Sequence, residues 1–275
     1  MRPQLLPVMQ YDPGIVAQIK TRLDRFYCEV SDYSAFSTPS NQVHCWAHIA
    51  DRIRKLAANG GQVSVLELGA GRSGFGNFLA NQSLRECCVW TAQDVTHQNV
   101  QWLEINADKV ILGNIETAVV ESTYDVVFST FVLEHVVNPV AHLNSLMTLV
   151  HPAHGTIFIF FPRYDFPGYL TPSSKHLPSL TRLSFMMSSS FARMRTLLTG
   201  RPSFLVQTDL AAFHQSFFTD ADAVHWVSLF DLKAWAHTQN GKCRTLKIGN
   251  PKFLSKDWII KRLLPVGISV QFGFW

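Results

Sequence analysis

Val65-Leu66-Glu67-Leu68-Gly69-Ala70-Gly71-Arg72-Ser73-Gly74-Phe75-Gly76 is the stretch that decides the fold. An apolar run ends in glycines at 69, 71 and 74, and a helix-like segment follows. The pattern is a strand, a tight turn and a helix N-terminus. Only a residue without Cβ allows both a positive φ and the close approach of backbone to a ligand. The helix start offers free N–H groups to whatever lies in the crevice. Glu67 then separates two kinds of ligand. A pyrophosphate at this turn would be repelled by an acid at the end of a buried strand. A ligand carrying an ammonium and a sulfonium would be attracted by it.

Working outward, residues 13–29 place Ile15, Val16, Ile19, Leu23, Phe26 and Tyr27 at helical spacing. Ser40 reads as the cap of a helix over 41–58, stopped by Asn59-Gly60-Gly61. From Gln62 the chain alternates. Strands are predicted at 63–69, 87–93, 109–113, 124–130 and 155–162, and helices at 73–84, 97–105 and 139–150. Asn138-Pro139 supplies a favoured start for the last of these. The strands are apolar on both faces (Val126-Val127-Phe128, Ile157-Phe158-Ile159-Phe160), as a parallel sheet covered on both sides requires.

After Pro162 the rhythm breaks. Residues 163–222 are rich in Pro, Ser, Phe and Met, and no acid occurs between Asp165 and Asp209, where Lys175, Arg182, Arg193, Arg195 and Arg201 fall. That excess suits phosphate or an anionic membrane surface, and solvated loop decoration explains it equally well. Leu180, Leu183, Met187, Phe191, Met194 and Leu198 share one helical stripe. Core packing is the plainer explanation, and membrane contact through Arg182, Arg193 and Arg195 is the other. Regularity returns at 225. Ser228 to Asp231 reads as a capping box opening a helix to Gln239, and Gly241 ends it. A strand at 243–249, a short helix at 256–264 and a strand at 268–274 complete the chain. An insert after the fifth strand lies at the carboxyl edge of the sheet, where a lid or recognition element belongs.

The whole chain has 275 residues, 47% hydrophobic and 16% charged, with net charge +4. Disorder is excluded by that balance. The longest apolar run, Thr156 to Pro162, is too short to span a membrane, and Met1 to Pro7 lacks the apolar stretch of a signal peptide. The odd count of 5 cysteines, without Cys-x-x-Cys, is read as reduced and mostly buried thiols in a cytoplasmic protein, with no zinc site.

Four blocks in register carry a family resemblance: Val65-Leu-Glu-Leu-Gly-Ala-Gly71; Asp94 closing the second strand; Gly113-Asn114 closing the third; and Tyr124-Asp125-Val-Val-Phe-Ser-Thr-Phe-Val-Leu-Glu134-His135-Val-Val-Asn138-Pro139. The chain resembles the class I S-adenosylmethionine (SAM)-dependent methyltransferases, and within them the branch of the ubiquinone-type methylases. The family's Lys-Pro-Gly-Gly turn appears here as Val150-His151-Pro152-Ala153-His154-Gly155. The resemblance implies an α/β fold: a Rossmann-like, doubly wound sheet of seven strands with the last antiparallel. It implies an N-terminal helical lead-in (1–60), a SAM-binding core (61–162), a recognition or lid insert (163–224) and a C-terminal completion of the sheet (225–275).

The resemblance also assigns roles. Glu67 would order the glycine loop and meet the methionine amino group, a helix-capping acid being the alternative. Gly69, Ala70 and Gly71 would admit the amino-acid moiety, while Gly74 would serve helix–strand packing. Asp94 would accept both ribose hydroxyls unless it is a simple turn aspartate. Asn114 and Ile115 would face the adenine, and Ser129 and Thr130 the methionine part. Asp125 reads as structural. Methyl transfer to oxygen needs alignment and removal of one proton. His135 is the first candidate base, the alternative being that Glu134-His135 caps the next segment and orders the loop, and Tyr164 and Asp165 are able to position a hydroxyl. His176, His214 and His225 are expected to be structural or to touch substrate.

The implied activity is O-methylation of a small or medium polar acceptor such as a sugar, nucleotide sugar or lipid-linked glycan, since the branch includes enzymes of polysaccharide biosynthesis. A prenylated quinone or lipid taken at the membrane surface is the alternative, and a SAM-fold binding protein without catalysis is another. Glu67 counts against an NAD-dependent dehydrogenase or epimerase. The small net charge and the lack of an Asn-Pro-Pro-Tyr motif count against nucleic-acid modification. The expected location is cytoplasmic, with peripheral contact at the inner face of the membrane through the basic insert.

Overall fold

In the computed structural model, which describes residues 3–29, 40–114, 122–165, 170–214, 222–239, 241–247 and 265–272, the chain forms two compact units. One comprises residues 32–132, 143–160 and 240–275, the other residues 1–31, 133–142 and 161–239.

The first unit holds a mixed sheet of seven strands. They are β2 (Val63–Leu68), β3 (Cys88–Asp94), β4 (Lys109–Leu112), β5 (Val126–Thr130), β6 (Thr156–Phe160), β8 (Lys242–Lys247) and β9 (Pro265–Gln271). Their order is β4-β3-β2-β5-β6-β9-β8. The first five run parallel, and β9 is antiparallel to both β6 and β8. The expected architecture, seven strands with an antiparallel last one, is the one observed. Every residue of β5 and β6 is buried, which is why these strands read as unbroken apolar runs instead of alternating.

Helix α2 (Ser40–Ala57) lays Cys45, Trp46, Ile49, Ala50 and Ile53 into the core of this unit. That spacing of three and four keeps one helical face buried. Trp46 and Trp90 each meet Phe75 edge-on, at 5.6 Å and 5.8 Å between ring centroids. Phe75 opens α3 (Phe75–Asn81) directly after the glycine turn. A close helix–strand approach is at Gly76, where a Cβ would stand 2.9 Å from the Trp90 ring. Helix α4 (His97–Asn106) follows β3, and α5 (Pro139–Leu149) has Pro139 at its first position. Asn138 caps α5 as expected, its Oδ1 accepting from the Ala141 N–H at 3.1 Å.

The second unit pairs β1 (Leu5–Pro7) antiparallel with β7 (Leu205–Gln207) and carries α1 (Pro13–Glu29), α6 (Ser179–Thr199) and α7 (Leu229–Thr238). Leu5, Leu177, Phe185, Ala192, Leu205 and Trp226 pack together. The capping box at α7 is only half realised. The Ser228 hydroxyl accepts from the Phe230 N–H, but Asp231 does not reach back to Ser228. Its carboxylate is buried and paired with Arg193, and also accepts from the Thr196 hydroxyl at 2.8 Å and the Ser203 N–H at 3.0 Å. Arg193 is therefore a buried core cation, not the surface arginine the sequence led us to expect.

The stripe on α6 is likewise not core. Leu180, Leu183, Met187, Phe191, Met194 and Leu198 are all exposed. Of the cysteines, Cys45 and Cys88 are buried, Cys87 and Cys243 half-buried and Cys28 exposed, so burial is less general than expected, and all are free thiols. No helix among the described residues is long and apolar enough to cross a membrane. The helix expected at 256–264 lies outside the described residues.

Candidate functional site

The glycine turn is held by the neighbouring strand. Gly69 and Gly71 take φ of +59° and +58°, a left-handed backbone that a residue with Cβ adopts only at a cost. A Cβ at Gly69 would stand 2.6 Å from a Val132 methyl, whereas a Cβ at Gly71 would meet no described atom within 4 Å beyond its chain neighbours. The turn thus leaves open space above Gly71. Its N–H groups are drawn toward β3. Gly69 N–H donates to Gln93 Oε1 at 3.0 Å, Ala70 N–H to the Gln93 carbonyl at 2.9 Å, and Gly71 N–H to Asp94 Oδ2 at 2.8 Å. Gln93 also donates to the Gly113 carbonyl, tying the ends of β2, β3 and β4 together. Gln93 is a residue the motif reading passed over. The available signal was a lone amide near the end of an otherwise apolar strand.

Glu67 is buried at the carboxyl end of β2. Its Oε1 accepts from the Ser73 hydroxyl at 2.9 Å, and that hydroxyl accepts from the Phe75 N–H at the start of α3. The acid therefore reaches the helix start through Ser73 and is not itself the cap. Oε2 is buried and makes no hydrogen bond of good geometry, although the Trp90 side chain is close enough to favour the ionised carboxyl. Burial pushes the carboxyl pKa up to about 8, against the Ser73 hydrogen bond that favours the ionised form. A buried carboxyl with one oxygen unsatisfied is a strong acceptor awaiting a cation or donor.

Two further unsatisfied groups lie on β5, next to β2 in the sheet: the Ser129 and Thr130 hydroxyls, both buried. Just beyond them Phe131 adopts φ of +57°, with its N–H donating to the Phe160 carbonyl at 3.0 Å. A left-handed phenylalanine is costly, and such strain is held in place by the surrounding structure.

Asp94 is more heavily used than a free ribose acceptor would be. Oδ1 accepts from the Thr96 N–H at 2.9 Å, the Thr96 hydroxyl at 2.8 Å and Asn99 Nδ2 at 3.1 Å. With three donors on Oδ1, only Oδ2 keeps accepting capacity beside its bond from Gly71. The expectation that Asp94 takes both ribose hydroxyls is thus narrowed to one oxygen, and part of its work is that of a turn aspartate. Asn114 follows Gly113 at the end of β4 and is half-buried. Ile115 lies outside the described residues. Asp125 binds the Ser64 N–H and hydroxyl and pairs with His154, the structural role its position implied.

The other predicted site residues belong to the second unit. His135 ends a short 3-10 turn, Leu133–His135, and its side chain is 22% exposed. Its Nδ1 lies 2.8 Å from Asp222 Oδ2, and the Tyr27 hydroxyl donates to that same oxygen at 2.8 Å. Burial of Asp222 opposes ionisation, but His135 beside it and the hydrogen bond from Tyr27 outweigh that and hold its carboxyl below the usual range. Neither Asp222 nor Tyr27 carried any sequence signal toward His135, from which they are far removed along the chain.

His225 fixes the turn from behind. Its ring Nδ1 meets the Leu133 carbonyl at 2.9 Å and its N–H donates to the Glu134 carbonyl. Burial depresses its pKa to about 3. His176 pairs with Asp209.

Tyr164 and Asp165 do not match their predicted task of presenting groups to an acceptor. Tyr164 is fully buried. Asp165 is consumed by Arg163 at Oδ1 and, at Oδ2, by the Ser228 hydroxyl and the Leu229 N–H at 2.8 Å, so it anchors the start of α7.

Residues 66–159 match a family model described as "Methyltransferase domain". No curated protein sequence matches the chain. Among solved structures, the plantazolicin methyltransferase BpumL in complex with a triazolic desmethylPZN analog and SAH is 12% identical with a TM-score of 0.56, covering 96% of this chain and 100% of that one. The same enzyme with a pentazolic analog and SAH is 13% identical with a TM-score of 0.51, over 96% and 100% of the two chains. At such identities the likeness is one of fold. Residues 66–159 thus form a methyltransferase domain on a Rossmann-like sheet, and the matched domain and the glycine turn support SAM as its cofactor. The residues present fit that cofactor: an open glycine turn, an unsatisfied buried carboxyl oxygen, and two unsatisfied hydroxyls on the neighbouring strand.

Proposed function

We propose that this SAM-dependent methyltransferase methylates a hydroxyl oxygen of a small or medium polar acceptor, such as a sugar, nucleotide sugar or lipid-linked glycan, and that His135 is its general base. The observation that carries the reading is the His135–Asp222–Tyr27 arrangement. The ionised carboxylate, a charge contact 2.8 Å from Nδ1, would favour a proton on that nitrogen. Nε2, which lies 4.0 Å from the buried Glu134 carboxylate, would then be the accepting nitrogen. When a hydroxyl proton moves to Nε2, Asp222 stabilises the imidazolium that results. Tyr27 holds Asp222 in place.

Glu67, Gly69, Ala70, Gly71, Asp94, Asn114, Ser129 and Thr130 would hold the cofactor, with Gln93 bracing the turn. Bound there, SAM supplies a methyl carbon made electrophilic by its sulfonium. The SAH named in the BpumL complexes supports the same use of the fold. The acid-free run from residue 166 to 208 supports an anionic acceptor such as a phosphosugar. A second reading, a lipid or prenylated quinone taken at a membrane surface, is favoured by the exposed apolar face of α6.

The test is transfer of labelled methyl to phosphosugars, nucleotide sugars and lipid-linked glycans. On the acceptor that takes up label, His135→Ala should lower kcat by about 10²- to 10⁴-fold with SAH affinity unchanged. Asp222→Asn should lower kcat less and shift its pH profile. Full turnover by His135→Ala would remove it as the base, and SAH binding with no acceptor methylated would point to a binding protein.

A further inference from the structure

Helix α6 is amphipathic the wrong way round for its own unit. Its buried residues are Phe185, Ser189, Ala192, Arg193 and Thr196, mostly small or polar. Its large apolar residues face outward. Leu180, Leu183, Met187, Phe191, Met194 and Leu198 are between 52% and 82% exposed. At 3.6 residues per turn these six fall within an arc of roughly 80°, on the side opposite the buried set. Scattered apolar residues on a surface need no explanation, but a continuous stripe along a helix about 30 Å long marks a face that is covered when the protein works.

The charge around the stripe selects what covers it. Helix α6 contains no Asp or Glu, and its flanks are rich in serine. Lys175 before it, Arg195 on it and Arg201 after it are exposed, and no acid occurs from residue 166 to 208. A second copy docked face to face would set this uniformly basic surface against itself, where like charges oppose pairing. An anionic bilayer meets both demands, apolar depth for the stripe and negative headgroups for the cations. No helix among the described residues can cross a membrane, so the contact is one of lying on the surface.

We propose that α6 is an interfacial helix that docks the protein on anionic membranes, its apolar stripe buried at the headgroup boundary and Lys175, Arg195 and Arg201 among the headgroups. This is independent of the acceptor and of the catalytic assignments. It would bring the enzyme to acceptors held in or on the bilayer.

The test is flotation of the purified full chain with phosphatidylcholine vesicles, with and without phosphatidylglycerol, alongside sedimentation without lipid and titration with SAH. Binding is expected only to the phosphatidylglycerol vesicles and should weaken as salt is raised. Met187→Ser with Phe191→Ser should lower it at least about tenfold, as should Arg195→Glu with Arg201→Glu. Because all four side chains are exposed, both variants should fold and keep wild-type SAH affinity, which separates loss of docking from failure of the methyltransferase reading. Absence of binding to anionic vesicles, or undiminished binding by the serine variant, overturns the proposal. So does a lipid-free dimer that the serine variant disperses, which would assign the face to a second copy.

Discussion

At the scale of single residues, Glu67 is the most sharply testable. Its pKa of about 8 means that the carboxyl is largely protonated at neutral pH before the cofactor arrives. The sulfonium and ammonium of SAM, or the ammonium of SAH, favour the ionised form. Binding therefore releases a proton, and SAH affinity should rise by up to about tenfold per pH unit as pH approaches 8 from below, then level off. Calorimetry in two buffers of different ionisation enthalpy measures that proton directly. Glu67→Gln should weaken binding and abolish both the released proton and the pH dependence. The sign for stability runs the other way. The unfolded acid ionises near its ordinary value while the folded one resists until about 8, so raising the pH between those limits costs stability. The ligand-free Gln variant should accordingly melt higher than the wild type above neutral pH.

At the scale of elements, the buried pair between α6 and α7 is the most sensitive joint. Arg193 and Asp231 are both buried, and Asp231 also satisfies Thr196 and the backbone before β7. Removing one partner strands a buried charge. Asp231→Ala should cost about 3–5 kcal/mol in urea unfolding. Replacing both, Arg193→Met with Asp231→Leu, should cost far less than the single changes would sum to, and a double-mutant cycle measures that coupling. The same helix shows how an element can be placed correctly along the chain and wrongly around its axis. The apolar spacing of residues 180–198 predicts a helix and α6 is there, but periodicity does not say which face turns inward. In the sequence Arg193 likewise reads as a surface cation, since its partner Asp231 is 38 residues away.

At the scale of the whole molecule, neither compact unit is a continuous length of chain. The sheet needs its last two strands from the C-terminal segment. β9 runs antiparallel along the whole of β6, pairing Thr156 with Gln271 through to Phe160 with Gly267. Deleting residues 240–275 would leave β6 as a buried apolar strand with an open edge. The truncated chain should aggregate or lose SAH binding, although every glycine-turn residue is retained. Solubility and SAH titration of the truncated chain measure this, and a soluble, SAH-binding fragment would show that five parallel strands suffice.

The order of strands and helices, the glycine turn and the family of the core were legible in the sequence, because they rest on local signals. Glycine at positive φ, apolar runs of strand length and an Asn-Pro helix start each act within a few residues. Only the tertiary structure decided how the polar groups are used. Asp94 braces the glycine turn through contacts with Gly71, Thr96 and Asn99. Asp165 anchors α7 from 64 residues away. His135 meets an aspartate and, through it, a tyrosine drawn from distant parts of the chain. A side chain's task depends on which donors, acceptors and charges folding brings within about 3 Å of it, and a one-dimensional pattern does not contain those distances.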